Sequence, residues 1–89
     1  MSYWVLEYRY ADMEARARAR NDHLAYMRGL HERGAVVLGG PVGAGDGAMV
    51  VLRADSEEAA QAIIDADPYT VAGVGADHVL RPWQVVIGA

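Results

Sequence analysis

The 89-residue sequence predicts one α+β domain over residues 1–89, in which two helices cover one face of a four-stranded antiparallel sheet. Three observations predict this fold class. Strand-like and helix-like segments follow each other in the order β-α-β-β-α-β. The connection between the second and third strands is too short for a crossover, so these strands should be antiparallel. The first and last strands carry large apolar residues on both sides, which indicates that both faces of the sheet are covered.

The first three elements follow from residue type. Residues 3–10 are aromatic and β-branched with alternating orientation, which is typical of a strand. From about Asp12 onward the strong helix formers Ala, Arg, Glu and Leu predominate, and they predict a long helix to Arg33. Gly34 then suits the left-handed conformation that ends many helices. Residues 35–38 return to β-type residues and form the second predicted strand.

Two more strands complete the predicted sheet. A glycine-rich turn over residues 43–47 leads into a third strand over residues 48–53, so the second and third strands form a hairpin. This turn also fits the dinucleotide-binding pattern G-x-G-x-x-G/A, but that motif requires a helix directly after it, and here a strand follows. The glycines are therefore assigned to a turn. Residues 78–87 form the last predicted strand, in which Pro82 marks an edge or a bend.

The second helix is predicted from its start signal. Asp55 as N-cap and Glu58 three residues later form a capping box for a helix over residues 56–66. Pro68 ends this helix and starts a short helical turn that reaches residues 72–73. The resulting order of elements is typical of ferredoxin-like domains. The side of the second helix that faces the sheet is expected to carry Ala59, Ile63 and Ala66.

Composition excludes several classes of protein. A net charge of −4, with 8 basic against 12 acidic residues, argues against nucleic acid as the main partner. No apolar run approaches the roughly 18 residues of a membrane span, and the start lacks the features of a secretion signal, so we expect a cytoplasmic protein without membrane attachment. The absence of cysteine excludes thiol catalysis and zinc–thiolate sites. His23, His31 and His78 lack metal-ligand spacing, so no metal is expected.

The apolar residues on both sides of the outer strands point to a partner subunit. Val5 is followed by Leu6 in the first strand, and Val79 by Leu80 in the last, whereas a sheet wet on one face alternates. A domain of this length also buries only about 60–65% of its unfolded surface, so a lone core would be marginal. A second copy laid against the open sheet face would cover it. We therefore expect a homodimer through that face, or a higher oligomer built from it.

His23 and Asp67 are the main candidates for chemistry. At 100° per residue, Arg20 and His23 continue the stripe of Met27, which places the imidazole where buried surface meets solvent. Asp67, which precedes a proline at a helix start, could cap that helix, hold the imidazole, or do both. Arg20 could receive an anionic group of a substrate, and Tyr69 could contact the substrate beside it. Each residue also has a structural interpretation. His23 would then be a hydrogen-bonded histidine and Asp67 an ordinary N-cap, while Arg20 would be a solvated charge and Tyr69 a core aromatic residue.

A series of short motifs runs through nearly the whole chain in order: Arg20-x-x-His23-Leu24, Gly34, Gly40-Pro41, Ser56-x-Glu58-Ala59-Ala60, Asp67-Pro68-Tyr69 and Ala72-Gly73-Val74. In these motifs the chain resembles the YciI-like (YCII-related) family. The resemblance implies a ferredoxin-like fold paired as a dimeric α/β barrel, with an active site that maps onto His23 and Asp67. The chain departs from the family pattern at Gly75, where relatives often carry tyrosine after Ala-Gly-Val.

Three interpretations of function stay open. In the first, the protein is a cofactor-independent enzyme in which His23 is a general acid–base, Asp67 orients the imidazole and Arg20 binds an anionic group. Its reaction would be elimination or isomerisation of a small, aromatic or lactone-like substrate, or the dehydrochlorination of a chlorinated hydroxyquinol that the resemblance implies. In the second, it is a non-catalytic dimeric module that binds a small molecule or regulates another protein. A third, monooxygenase-like interpretation rests on analogy of fold alone.

Overall fold

The computed structural model describes residues 2–88. Within that part of the chain the elements are β1 (Ser2–Tyr10), α1 (Met13–Glu32), β2 (Val36–Val42), β3 (Gly47–Ala54), α2 (Glu57–Ala66), α3 (Pro68–Val71) and β4 (Gly75–Trp83). The strands form one antiparallel sheet in the order β2-β3-β1-β4. This arrangement confirms the predicted α+β, ferredoxin-like fold. None of the helices in residues 2–88 combines the length and the apolar character that crossing a membrane requires.

Helix α1 begins and ends as the sequence predicts. The Asp12 side chain accepts a hydrogen bond from the backbone N–H of Ala15 at 2.9 Å and so caps the first turn. At the other end Gly34 has a φ of +80°, a left-handed conformation that glycine adopts without a Cβ clash. Leu30 is buried against the sheet, and the Tyr26 hydroxyl donates to a backbone carbonyl of α2 at 2.7 Å. Both ends and one side of α1 are therefore fixed.

Helix α2 begins one residue later than predicted. Ser56, not Asp55, is its N-cap, because the Ser56 hydroxyl accepts a hydrogen bond from the backbone N–H of Ala59 at 3.1 Å. Both residue types are good N-caps, so the local sequence does not separate them. The buried side of the helix also differs from the prediction by one position. Its core residues are Ala60 and Ile64, not Ala59, Ile63 and Ala66, and Ile63 packs at the margin of the core.

The predicted ends of two strands were wrong. Strand β2 does not stop at Leu38 but continues through Pro41 to Val42. Strand β4 spans Gly75–Trp83 instead of residues 78–87, and Pro82, predicted to mark an edge or a bend, lies in this edge strand. Both strands are edge strands, and an edge strand tolerates proline because only one side of its backbone pairs with the sheet.

The inner face of the sheet, which the helices cover, holds the core. Trp4, Leu6 and Tyr8 of β1 point into this core at alternate positions, as the sequence predicts. Leu52 of β3 and Val74 are fully buried there. The Trp4 indole N–H donates to a backbone carbonyl at the end of β3 at 3.2 Å, so the polar atom of this large side chain is satisfied. Helix α1 packs against this core through Leu30.

The outer face of the sheet, opposite the helices, is also apolar. Val5 and Val51 are register partners on this face, and only 8% and 5% of their surface is exposed. Beside them Val79 and Trp83 of β4 remain 48% and 45% exposed. A sheet with one wet face carries mainly polar residues there, so this face differs from that pattern as the sequence indicated.

Candidate functional site

A cleft of about 380 Å³ opens between α1 and the inner face of the sheet. Its walls come from α1, from the inner sides of β1 and β3, from β2 and from Tyr69 of α3. The β2 wall includes Gly39 and Gly40, which contribute backbone without side chains. A concave space of this size, lined by apolar and aromatic side chains with a few polar groups, is typical of a small-molecule site.

His23 and Asp67 meet at the wall of this cleft. His23 lies in the middle of α1, and Asp67 is the N-cap of α3, 44 positions later. Nδ1 of His23 is 2.7 Å from Oδ1 of Asp67, and the two side chains are only 12% and 11% exposed. At this distance the Nδ1–H donates a hydrogen bond to the carboxylate. This tautomer leaves Nε2 with a lone pair that a ligand in the cleft can meet.

One oxygen of Asp67 holds two donors. Besides the imidazole, Oδ1 accepts a hydrogen bond from the backbone N–H of Tyr69 at 2.9 Å, and this second bond caps α3. Pro68 occupies the first position of α3, where its fixed φ suits the helix. Because both bonds share one acceptor, the formation of α3 fixes the carboxylate that holds His23.

The ring of Tyr69 fixes the plane of the imidazole. The centroids of the Tyr69 and His23 rings are 3.6 Å apart, and their planes differ by 1°. Tyr69 is itself buried against the core. The imidazole is therefore held by a hydrogen bond at one edge and by a ring against one face, which is the kind of rigid support that a reactive side chain requires.

Arg20 and Tyr69, the residues predicted to contact a ligand, both line the cleft. Arg20 is exposed, and within residues 2–88 no carboxylate forms an ion pair with it. The structure therefore brings Arg20, His23 and Tyr69 to one opening and places Asp67 beside the imidazole.

The cleft is also lined by Tyr8, Tyr10 and Arg16, which were not among the predicted site residues. The guanidinium carbon of Arg16 lies 4.6 Å from the centre of the Tyr10 ring, a cation–π contact. Signals for these residues exist, since the tyrosines alternate inward with Leu6 and Arg16 precedes Arg20 by four positions on the same side of α1. Core tyrosines and solvated arginines give the same patterns, so the signals are not specific.

Two of the cleft's tyrosines have raised pKa values. Burial is the largest cause of the raised pKa of the Tyr8 hydroxyl, and the nearby Tyr10 and Asp67 raise it further. Burial also raises the pKa of the Tyr69 hydroxyl. The positive charge of Arg16 lowers the pKa of both groups, against the larger effect of burial. Both phenols are therefore neutral at physiological pH, and the charge of Arg16 acts on both of them.

The lining of the cleft is basic. Acidic residues outnumber basic ones by 12 to 8 in the sequence, yet no Asp or Glu of residues 2–88 lines this cleft. Within the same part of the chain, His, Asp and Glu side chains do not gather in a group of three that could hold a metal ion. A basic cleft with apolar walls concentrates anionic ligands. Its five basic side chains are Arg16, Arg20, His23, Arg28 and His31.

The space beside Gly75 is filled by neighbouring rings. A Cβ atom on Gly75 would lie 2.7 Å from Cδ2 of Tyr8 and 3.1 Å from the ring of His78. The His78 ring also stacks on Tyr8, with 5.0 Å between centroids. A larger side chain at position 75, such as the tyrosine that the family pattern often has, therefore requires these rings to move.

Comparisons with known proteins agree with one another. The family model described as "YCII-related domain" matches residues 1–84. Two curated relatives named Protein YciI, from Escherichia coli O6:H1 (strain CFT073) and from Shigella flexneri, are each 37% identical over 84 residues, which cover 83% of this chain and 86% of the relative. Among solved structures, 5-chloro-2-hydroxyhydroquinone dehydrochlorinase (TftG) from Burkholderia phenoliruptrix AC1100, in complex with 2,5-dihydroxybenzoquinone, aligns with a TM-score of 0.76 and 27% identity, covering 91% of this chain and 93% of that chain.

Proposed function

The chain belongs to the YCII-related domain family, and from this premise we propose that it is a cofactor-independent enzyme acting on a small aromatic substrate. In this proposal His23 transfers the proton and Asp67 orients the imidazole and stabilises its charged form. Arg20 and Tyr69 contact the substrate. The reaction is an elimination, such as a dehydrochlorination, or an isomerisation.

The observation that carries the proposal is the 2.7 Å contact between His23 and Asp67 in the wall of a cleft. A carboxylate bonded to Nδ1 leaves Nε2 as the ring nitrogen that can accept a proton, and the stacked ring of Tyr69 holds the imidazole in one orientation. An oriented acid–base of this kind typically accelerates proton transfer by about 10²–10⁴-fold.

The elimination can be written with these groups alone. In the dehydrochlorination, Nε2 of His23 accepts a proton from a ring hydroxyl, whose electron pair forms a C=O bond, and the imidazolium gives this proton to the ring carbon that carries chlorine. Nε2 then accepts a proton from a second hydroxyl, whose electron pair forms a second C=O bond and shifts a ring double bond to the chlorinated carbon, so that chloride departs with the electrons of the C–Cl bond. The imidazolium, stabilised by the Asp67 carboxylate, then returns its proton to solvent.

The structural neighbour supports the choice of substrate and reaction. It is a dehydrochlorinase of 5-chloro-2-hydroxyhydroquinone, and its structure contains 2,5-dihydroxybenzoquinone, a ring with acidic hydroxyl groups. The basic lining of this chain's cleft suits the anion of such a ring, and the volume of about 380 Å³ leaves room for it.

The decisive test compares kcat/KM for chloride release from 5-chloro-2-hydroxyhydroquinone in the wild-type protein and in His23→Gln. We expect kcat/KM to fall by about 10²–10⁴-fold, because glutamine cannot accept the proton. Arg18→Gln is the control, since Arg18 is exposed on the same helix and does not line the cleft, and it should retain activity. Equal rates in wild type and His23→Gln, or chloride release no faster than in buffer, would contradict the proposal.

A binding module without catalysis is the second candidate. It is favoured by the fact that Asp67 also caps α3 and Tyr69 also packs in the core, so both have a structural task apart from chemistry. In that case 2,5-dihydroxybenzoquinone binds the wild-type protein and His23→Gln with similar affinity, and neither protein turns over any substrate.

We also propose that two copies of the chain pair through their outer faces. Val79 and Trp83 are exposed there beside the buried Val5 and Val51, and a partner would remove this apolar surface from water. The same face carries Glu7 and Arg81, whose side chains lie 3.6 Å apart. A two-fold axis presents each patch to its own copy, so each face supplies both an acidic and a basic group to the other.

A further inference from the structure

The ring of Tyr8 is buried, but its hydroxyl group is not sealed from solvent. Only 7% of Tyr8 is exposed, and within residues 2–88 its hydroxyl group makes no hydrogen bond. Among the side chains of that part of the chain that are not exposed, the one sealed polar atom without a hydrogen bond is Nε of Arg16. The unpaired hydroxyl of Tyr8 therefore keeps contact with open space. Its side chain lies on the inner face of the sheet and lines the cleft, so the cleft is that space.

Neighbouring rings hold Tyr8 in one orientation. The His78 ring stacks on it with 5.0 Å between centroids, and the Tyr10 ring meets it edge-on at 5.8 Å and 78°. The register between β1 and β4 shifts at this point, so that both Asp77 and His78 lie opposite Tyr8. Asp77 has a left-handed φ of +58°, and bulges of this kind redirect a side chain. The phenol is therefore held in place before any ligand enters, as a hydrogen-bond donor in an active site should be.

The Tyr8 hydroxyl lies within electrostatic reach of the pair formed by His23 and Asp67. Burial is the largest cause of the raised pKa of this hydroxyl, and the nearby Tyr10, Asp67 and Tyr69 raise it further. Since electrostatic interactions weaken with distance, the effect of Asp67 indicates that its carboxylate is close to the phenol. The raised pKa also keeps the proton on the hydroxyl at neutral pH, so that Tyr8 can act as a donor and not as a base.

We infer that the Tyr8 hydroxyl is a further catalytic group, which donates a hydrogen bond to the substrate oxygen from which His23 removes a proton. That oxygen becomes negatively charged as its proton leaves, and a charged acceptor forms a stronger hydrogen bond than a neutral one. The bond is therefore stronger in the transition state than in the bound substrate, which is the condition for an effect on the rate. The catalytic role rests on the proposed function, whereas the hydrogen bond itself requires only that a ligand oxygen enters the cleft.

Tyr8→Phe tests this inference, because it removes the hydroxyl and keeps the ring that packs against His78 and Tyr10. We expect kcat for chloride release from 5-chloro-2-hydroxyhydroquinone to fall by about ten- to a hundredfold, the usual range for a hydrogen bond to a charged group. KM should change less, since the bond strengthens as the charge develops. Tyr3→Phe is the matched control, because Tyr3 lies in the same strand and does not line the cleft. Equal kcat in wild type and Tyr8→Phe would overturn the inference.

Two binding measurements with 2,5-dihydroxybenzoquinone do not depend on turnover. In calorimetric titration at neutral pH, the Kd should rise by about tenfold or more in Tyr8→Phe and stay unchanged in Tyr3→Phe. The second measurement follows the Cζ resonance of Tyr8 in wild-type protein labelled with ¹³C in tyrosine, and so does not depend on the folding of a variant. This resonance should shift when the quinone is added, and that of Tyr3 should not. An unchanged Kd, or a Tyr8 resonance that does not respond, overturns the inference.

The outcomes separate this inference from the proposed function. Quinone binding that depends on Tyr8, in a protein without turnover, would retain the hydrogen bond and reject the catalysis. Turnover that depends on His23 but not on Tyr8 would retain the proposed function and reject the inference. A wild-type protein that neither binds the quinone nor releases chloride would reject both.

Discussion

The inner and outer faces of the sheet both carry large apolar side chains, but they differ in which groups they leave exposed to water. On the inner side the Asp67 carboxylate is bonded to the His23 ring, and only 11% and 12% of these side chains are exposed. On the outer side the charged pair of Arg81 and Glu7 is 61% and 49% exposed, while Trp83 beside it is 45% exposed. The inner side holds the Asp67 carboxylate away from water, and the outer side leaves the large apolar side chain of Trp83 partly in water.

This difference shows what each face is suited for. Withdrawing a charge from water is unfavourable unless it is oriented by partners, and Asp67 has such partners in the His23 ring and the Tyr69 backbone. Leaving large apolar groups in water is unfavourable unless another molecule covers them. The inner face is therefore suited to chemistry on a small ligand, and the outer face to contact with a protein.

Asp67→Ala, which acts on the inner side of the sheet, is expected to have the largest effect. The substitution leaves the His23 ring without its acceptor and the Tyr69 N–H without its cap. We expect kcat/KM to fall by about a hundredfold or more and the free energy of unfolding to fall by about 2 kcal/mol. Enzyme assays and urea unfolding measure the two effects. Asp65→Ala, at an exposed carboxylate that binds only Gln61, should change neither quantity; equal behaviour of the two variants would contradict the assignment.

Val79→Asp, which acts on the outer side of the sheet, is expected to weaken the proposed pairing of two copies. Val79 is 48% exposed, so the isolated chain tolerates the change, but a charge at this position opposes burial against a second copy. We expect the Kd of the dimer to rise at least about tenfold in sedimentation equilibrium. Val71→Asp is the control, because Val71 is 78% exposed on α3, away from the outer face. A wild-type protein that is monomeric throughout the concentration range would reject the proposed pairing.

The smallest effect concerns the buried phenol of Tyr8 on the inner side. Burial raises its pKa in the folded protein above the ordinary value of 10.0, so the unfolded chain loses this proton at lower pH than the folded protein does. The stability is therefore fully present below pH 10 and decreases as the pH rises above it. We expect the free energy of unfolding to decrease by up to about 1 kcal/mol between pH 10 and 11 because of Tyr8, and Tyr8→Phe should remove this part of the slope. Identical slopes in the two proteins, followed by urea unfolding at each pH, would show that Tyr8 is not responsible.

The order of elements could be predicted because each signal is local. Alternation in β1, helix formers in α1 and the short turn after β2 depend on neighbouring residues, and all three agree with the structure. The errors arise where two local solutions are nearly equal in free energy. Asp55 and Ser56 are both good N-caps, and the hydrogen bond from the Ala59 N–H identifies Ser56 as the residue used. Likewise, Pro41 suggests the end of β2, but the edge position of this strand removes the penalty, whereas Pro82 was predicted to mark an edge or a bend and does lie in an edge strand.

The functional site was less accessible to sequence reasoning because it depends on contacts between distant residues. Helical periodicity placed His23 at the border of the buried stripe, yet nothing near it in the sequence indicates a partner 44 positions away. The family resemblance, not the periodicity, linked it to Asp67. Arg16 lacks even that link, because its place over the Tyr10 ring in the cleft wall depends on contacts that form only in the folded chain.

Because Oδ1 of Asp67 accepts hydrogen bonds from both His23 and the Tyr69 amide, the arrangement around His23 depends on the single turn of α3. When α3 opens locally, the Tyr69 amide loses its acceptor, the carboxylate is free to rotate and the ring that lies on the imidazole leaves with the same segment. The exchange rate of the Tyr69 amide proton thus reports the fraction of molecules in which Asp67 and Tyr69 hold the His23 ring. Slow exchange of this proton means that the hydrogen bond from Nδ1 of His23 to Asp67 and the stacked Tyr69 ring are both in place.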